Sequence, residues 1–200
     1  NVVPGRVDTG EALTTDERVD QITFTGSVST GQVVGKAAMD RVIPTVLELG
    51  GKSPAIVFED ADLDDALDGA LKAMTLINGQ VCFATTRVFV HEDVYDEFRD
   101  RYVAAVESLS VGPGMADPDL GPVISADAVD EIDDYVSRAV EDGATALTGG
   151  HRIDRDGNFY APTIIEGAAD DAPISCEEVF GPVITLYSFA DETEAIRRAN

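Results

Sequence analysis

Two hundred residues are enough for one sizeable domain, or for one domain and part of a second. Hydrophobic residues make up 44% of the chain, which predicts a packed core, and 38 acidic against 14 basic residues give a net charge of −24. Such a surface repels phosphate backbones and anionic lipid, so no nucleic-acid and no membrane partner is expected.

No apolar run approaches the ~20 residues of a bilayer span and no signal-like segment opens the chain, so a soluble, cytoplasmic protein is expected. The acids of Asp60–Asp68 sit between periodic apolar residues. That pattern predicts a folded domain with a solvated carboxylate shell, as in a halophilic protein from a salt-loaded cytoplasm. An ordinary acidic protein is the alternative. The two cysteines, Cys82 and Cys176, lack a CxxC motif and a neighbouring histidine cluster, which predicts a reduced chain with no metal site.

In chain order, Asn1–Gly5 reads as a strand-like scrap entering a turn, and Gln21–Thr25 as a short strand. A helix is expected from about Ser29 to Met39, then short apolar runs at Val46–Leu49 and Pro54–Phe58. Asp62–Leu76 has amphipathic helical spacing, and Arg87–Val90 is β-branched and aromatic, hence a strand. Val94–Leu109 and Ala126–Glu141 read as helices, the first with Tyr95, Phe98, Tyr102 and Val106 along one face. Pro182–Phe189 reads as a strand and Asp191–Asn200 as an acid-capped helix without a glycine stop, so both chain ends read as cut. The alternation predicts an α/β fold with a largely parallel sheet. A change of character near Gly50-Gly51 predicts two domains with a cleft at their junction.

Four segments could carry chemistry. Phe24-Thr25-Gly26-Ser27-Val28-Ser29-Thr30-Gly31 sets glycines and hydroxyls at a strand-to-helix turn, where free amides and a helix N-terminus could hold a pyrophosphate. It is neither a Walker A loop nor a GxGxxG motif, and a plain capped turn fits it as well. Val46–Lys52 places Glu48 inside an apolar run, where burial would raise its pKa toward that of a general base. A strand-end glutamate paired with Lys52 is the plain alternative. Asn78-Gly79-Gln80-Val81-Cys82 puts a thiol on a glycine-marked loop, where a nucleophile needs access, although a lone cysteine is commonly inert core. Glu177-Glu178-Val179-Phe180-Gly181-Pro182 offers carboxylates for ribose hydroxyls and an aromatic for a nicotinamide ring, or simply a charged turn. Cys176 reads as structural, and His91 and His151 as solvated.

Taken in this order and at these spacings, the four segments resemble the aldehyde dehydrogenase superfamily across essentially the whole chain. Asn1–Gly5, Gly121-Pro122 and Phe159–Thr163 add smaller echoes. The resemblance implies an end of a Rossmann-type cofactor domain (residues 1–49) followed by an incomplete α/β catalytic domain (residues 50–200). It implies NAD or NADP as cofactor, a small-molecule aldehyde as substrate and a homo-oligomeric parent protein. Cys82 would be the nucleophile, its own N–H one oxyanion donor, and Glu48 the base for hydrolysis of a thioester. Gly26, Ser27, Gly31 and Leu49 would lie along the cofactor, Glu178 would bind the nicotinamide ribose, and Phe180 would pack beside it. An upstream asparagine donor and the adenosine-binding strands have no counterpart here, so the chain alone is expected to be inactive. Two rivals are a CoA-acylating semialdehyde dehydrogenase, which Glu48 disfavours, and a non-catalytic relative, which Cys82 and Glu48 together disfavour.

Overall fold

The computed structural model describes residues 1–200, which divide into two compact units, Asn1–Gly50 and Gly51–Asn200. The first unit contains α1 (Val7–Thr15), β1 (Ile22–Gly26), α2 (Val28–Asp40) and β2 (Thr45–Leu49). β1 and β2 run parallel, with Ile22 opposite Thr45 and Gly26 opposite Leu49. α2 is the crossover between them. It buries Gly31, Val34 and Ala38, spaced three and four apart on one face, against Ile22. A Cβ on Gly31 would lie 2.5 Å from Leu49 Cδ2, so a larger residue there would displace the Leu49 side chain.

α1 has no counterpart among the sequence-predicted elements. It buries none of its residues, so it has no apolar stripe to read. The Arg41 guanidinium fastens its end, donating to Thr14 O at 3.2 Å and to Val19 O at 2.5 Å.

The second unit runs β3 (Pro54–Val57), α3 (Leu63–Thr75), a 3₁₀ turn (Leu76–Gly79), β4 (Arg87–His91) and α4 (Glu92–Glu107). A second 3₁₀ turn (Gly114–Ala116), α5 (Ala126–Glu141), β5 (Thr145–Thr148) and β6 (Thr163–Glu166) follow. α6 (Pro173–Cys176), β7 (Val183–Phe189) and α7 (Glu192–Ala199) complete it. The sheet order is β3-β4-β7-β6-β5, with β5 antiparallel at the edge and the other pairs parallel. The expected α/β fold with a largely parallel sheet is therefore present.

Its central strands are covered on both sides, as parallel strands require. Val88, Val90, Ile164, Ile184 and Leu186 pack on α3 and α4, where Phe98, Tyr102 and Val106 form the stripe expected from their spacing. Each such fully buried apolar side chain contributes about 1.5–3 kcal/mol. On the other face, Val129, Ile132 and Val136 of α5 meet Ile165 and Val183. Phe89 and Tyr187 stack at 4.9 Å beside α7.

β5 and β6 escape the sequence reading: β5 is a partly exposed edge strand, and β6 is buried along Thr163–Ile165 without alternation. No helix is long and apolar enough to cross a membrane.

Candidate active site

In the first unit, Gly26 and Leu49 end β1 and β2 opposite each other, and Thr25 faces Glu48. Ligands of open α/β sheets gather at such carboxyl ends. Ser27 caps α2, its Oγ accepting from Thr30 N at 3.3 Å. Being in the first turn, the amides of Val28 and Ser29 have no intrahelical acceptor. Among helices of eight or more residues, only α2 lacks an acid in its first turn. In a chain of charge −24 that leaves one helix dipole free to receive an anion. The Gly31 amide donates to Ser27 O at 2.9 Å, and Leu49 packs where a side chain on Gly31 would stand.

Glu48 is exposed, which corrects the expectation of burial. β2 belongs to a two-stranded sheet, so the apolar run flanking Glu48 stays open, with Val46 44% and Leu47 37% exposed.

In the second unit Cys82 lies on an exposed turn between the 3₁₀ segment and β4. Its backbone N–H has no acceptor within the chain. The turn is pinned from the residues before it. Ile77, Asn78 and Gly79 are all left-handed, with φ of 51°, 58° and 70°. This conformation costs a β-branched residue most and glycine nothing. The Asn78 side chain accepts from Gly121 N at 2.8 Å and donates to Pro122 O at 2.9 Å. Gln80 accepts from Ile124 N at 2.8 Å. Gly79 admits the Gly181 carbonyl, which would lie 2.2 Å from a Cβ at that position. Three sequence segments thus converge: the cysteine loop, Gly121–Ile124 and the 177–181 loop. Phe83 beside the thiol is 64% exposed.

Glu178 is half-buried, and burial raises its carboxyl pKa while the nearby Lys52 ammonium opposes that rise. Lys52 in turn is lowered to about 8, first by burial and then by Arg87, against the pull of Glu178 and Cys176. The Lys52 carbonyl accepts from Arg87 Nε at 2.8 Å, and the same guanidinium reaches Ala199 O at 2.8 Å. Phe180 is 44% exposed.

Two remaining expectations change. Cys176 is exposed rather than packed. His91 is not solvated: its side chain is 13% exposed, caps α4 through Asp93 N, and meets the Phe189 ring edge-on at 5.5 Å. It ends a central strand, which turns the ring inward. His151 is exposed. No three His, Cys, Asp or Glu side chains converge as a metal site.

The second unit thus sets an exposed thiol on a pinned turn and a carboxylate–aromatic loop against a largely parallel sheet. The model of the aldehyde dehydrogenase family matches residues 1–200, and the chain belongs to that family. It is 43% identical over 202 residues to the mitochondrial succinate-semialdehyde dehydrogenase of Arabidopsis thaliana, covering 100% of this chain and 38% of that protein. It is 44% identical over 191 residues to succinate-semialdehyde dehydrogenase [NADP(+)] 1 of Mycobacterium bovis, covering 95% and 42%. Among solved structures, the NAD+ complex of an aldehyde dehydrogenase from Bacillus cereus superposes with a TM-score of 0.92 at 36% identity, over 96% of this chain and 39% of that one. Betaine aldehyde dehydrogenase from Staphylococcus aureus with NAD+ gives 0.90 at 40% identity, over 96% and 39%. The chain therefore has the aldehyde dehydrogenase fold and spans about two fifths of the length of these relatives.

Proposed function

We propose that the full-length protein oxidises an aldehyde to a carboxylic acid with NAD+ or NADP+, using Cys82 as nucleophile and Glu48 as hydrolytic base. The observation that carries this reading is the exposed Cys82 thiol on a turn fixed by Asn78, Gly79 and Gln80. A thiol held this way is accessible and pre-aimed, the two things a nucleophile needs.

The residues fit a nicotinamide dinucleotide. Gly26 and Ser27 with the open first turn of α2 suit its pyrophosphate, Leu49 its approach along the strand ends, Glu178 a ribose and Phe180 the ring. In this reading residues 1–49 close the dinucleotide-binding domain, residues 50–200 begin the catalytic one, and the parent protein is a homo-oligomer.

The Cys82 thiolate adds to the aldehyde carbon, and the free Cys82 amide donates to the oxyanion that forms. When bound, the cofactor supplies the hydride acceptor. The acyl group is then held on Cys82 Sγ as a thioester. Glu48 takes a proton from the water that attacks it, releasing the acid and regenerating the thiolate.

Iodoacetamide inactivation of the full-length enzyme, followed by peptide mass mapping, tests the nucleophile. Activity should be lost in step with alkylation of Cys82, and aldehyde should slow the loss. Inactivation that tracks Cys176 instead overturns the assignment.

A further inference from the structure

The sequence sets two glutamates side by side at positions 177 and 178, and the structure gives them different surroundings. Glu177 has extended backbone, φ −99° and ψ 152°. Successive side chains on extended backbone point to opposite sides. Glu177 Oε2 accepts from Tyr135 Oη of α5 at 2.5 Å. Glu178 is half-buried within the field of Lys52.

Tyr135 is itself 8% exposed. Burial, then the Glu177 hydrogen bond, push its phenol up to about 12, so it stays a donor across the working pH range. The same face of α5 holds the far end of the loop. Ile132, one turn before Tyr135, occupies the space that a Cβ on Gly181 would need, 2.3 Å from its Cδ1. Between these two anchors, Phe180 borders a cleft of about 270 Å³ lined also by Ile124, Glu131 and Val179.

We propose that Tyr135 is a positioning residue for cofactor binding: by holding Glu177 onto α5 it turns Glu178 toward the cofactor and sets the Phe180 ring, so that only the second glutamate of the pair is a ligand. This rests on the reading of Glu178 as the ribose ligand. Glu177 acts as an anchor, and its carboxylate touches no substrate or cofactor atom.

The test uses the full-length enzyme, with NADH or NADPH binding followed by fluorescence and steady-state kinetics run beside it. Tyr135→Phe and Glu177→Ala should each weaken cofactor binding about threefold to tenfold, the scale of one hydrogen bond to a charged group in part replaced by water. KM for the cofactor should rise in parallel, while kcat and the aldehyde KM change by less than about twofold. The double variant should be no worse than either single one. Glu177→Gln, whose amide oxygen still accepts from the phenol, should bind like wild type. Glu178→Gln is the reference for the ligand itself and should lose affinity. If Glu178→Gln weakens binding and Tyr135→Phe and Glu177→Ala do not, the positioning role is overturned and the ribose reading stands. If Glu178→Gln binds like wild type, both fall together. A Tyr135→Phe protein that loses thermal stability and kcat with an unchanged cofactor KM also overturns the proposal, because that is the signature of a general structural role.

Discussion

Replacing Asn78 by alanine removes the side chain that ties the cysteine turn to Gly121 and Pro122. The two hydrogen bonds lost, at 2.8 and 2.9 Å, are worth about 1 kcal/mol each. Asn78 also sits at φ 58°, where asparagine is tolerated and alanine is not, adding about 1 kcal/mol. The expected loss is about 3 kcal/mol, a combination of these three terms. Asn78→Gly separates them, because glycine pays nothing for the left-handed backbone and loses only the hydrogen bonds, so it should cost about 2 kcal/mol. Urea unfolding of the full-length protein measures both. The same variants should react more evenly at Cys82 and Cys176 with a small electrophile, since a loosened turn no longer holds Cys82 in one pose. An Asn78→Ala protein within about 0.5 kcal/mol of wild type, the range of an ordinary surface change, refutes the view that this side chain sets the turn.

Lys52 supplies a pH dependence. Its folded pKa of about 8 lies below the ordinary 10.5, so folding opposes its charged form. The resulting penalty is complete below about pH 8 and fades as pH rises toward 10.5. Wild type should therefore gain stability over that window relative to Lys52→Met, and parallel melting curves for the two proteins contradict this. Salt supplies another. Self-repulsion from a net charge of −24 is screened as ions are added, so the melting temperature of the full-length protein should climb steadily from dilute buffer to molar salt. An unchanged melting temperature across the series removes the halophilic reading.

What the sequence made legible follows from its strongest signals. The stripe Phe98, Tyr102, Val106 is periodic, and it is buried as its spacing requires. The same is true of α5, whose bounds fall at Ala126 and Glu141 as expected. Weak signals were lost: β6 is short and buried throughout, and α1 has no buried face at all. At the candidate site, the cysteine and the 177–181 loop could be picked out by motif. Their supports could not, because Asn78–Gly121, Gln80–Ile124 and Tyr135–Glu177 join residues more than forty positions apart. The Asn-Gly pair at positions 78 and 79 was the one local hint of a left-handed turn. The burial expected of Glu48 failed because its strand lies in a two-stranded sheet that leaves Val46 and Leu47 themselves exposed.

The division of labour between Cys82 and Glu48 is tested most directly by a stopped-flow trace of the Glu48→Gln full-length enzyme, with mass spectrometry of the quenched protein. Glutamine keeps the shape of glutamate but accepts no proton, so acylation should proceed and hydrolysis should stall. A burst of NADH or NADPH near one equivalent per site should precede turnover slowed about 10²–10⁴-fold, with the acyl mass on Cys82. Cys82→Ala should give no burst. Turnover of Glu48→Gln at the wild-type rate, or an acyl group found on any other residue, contradicts the assignment.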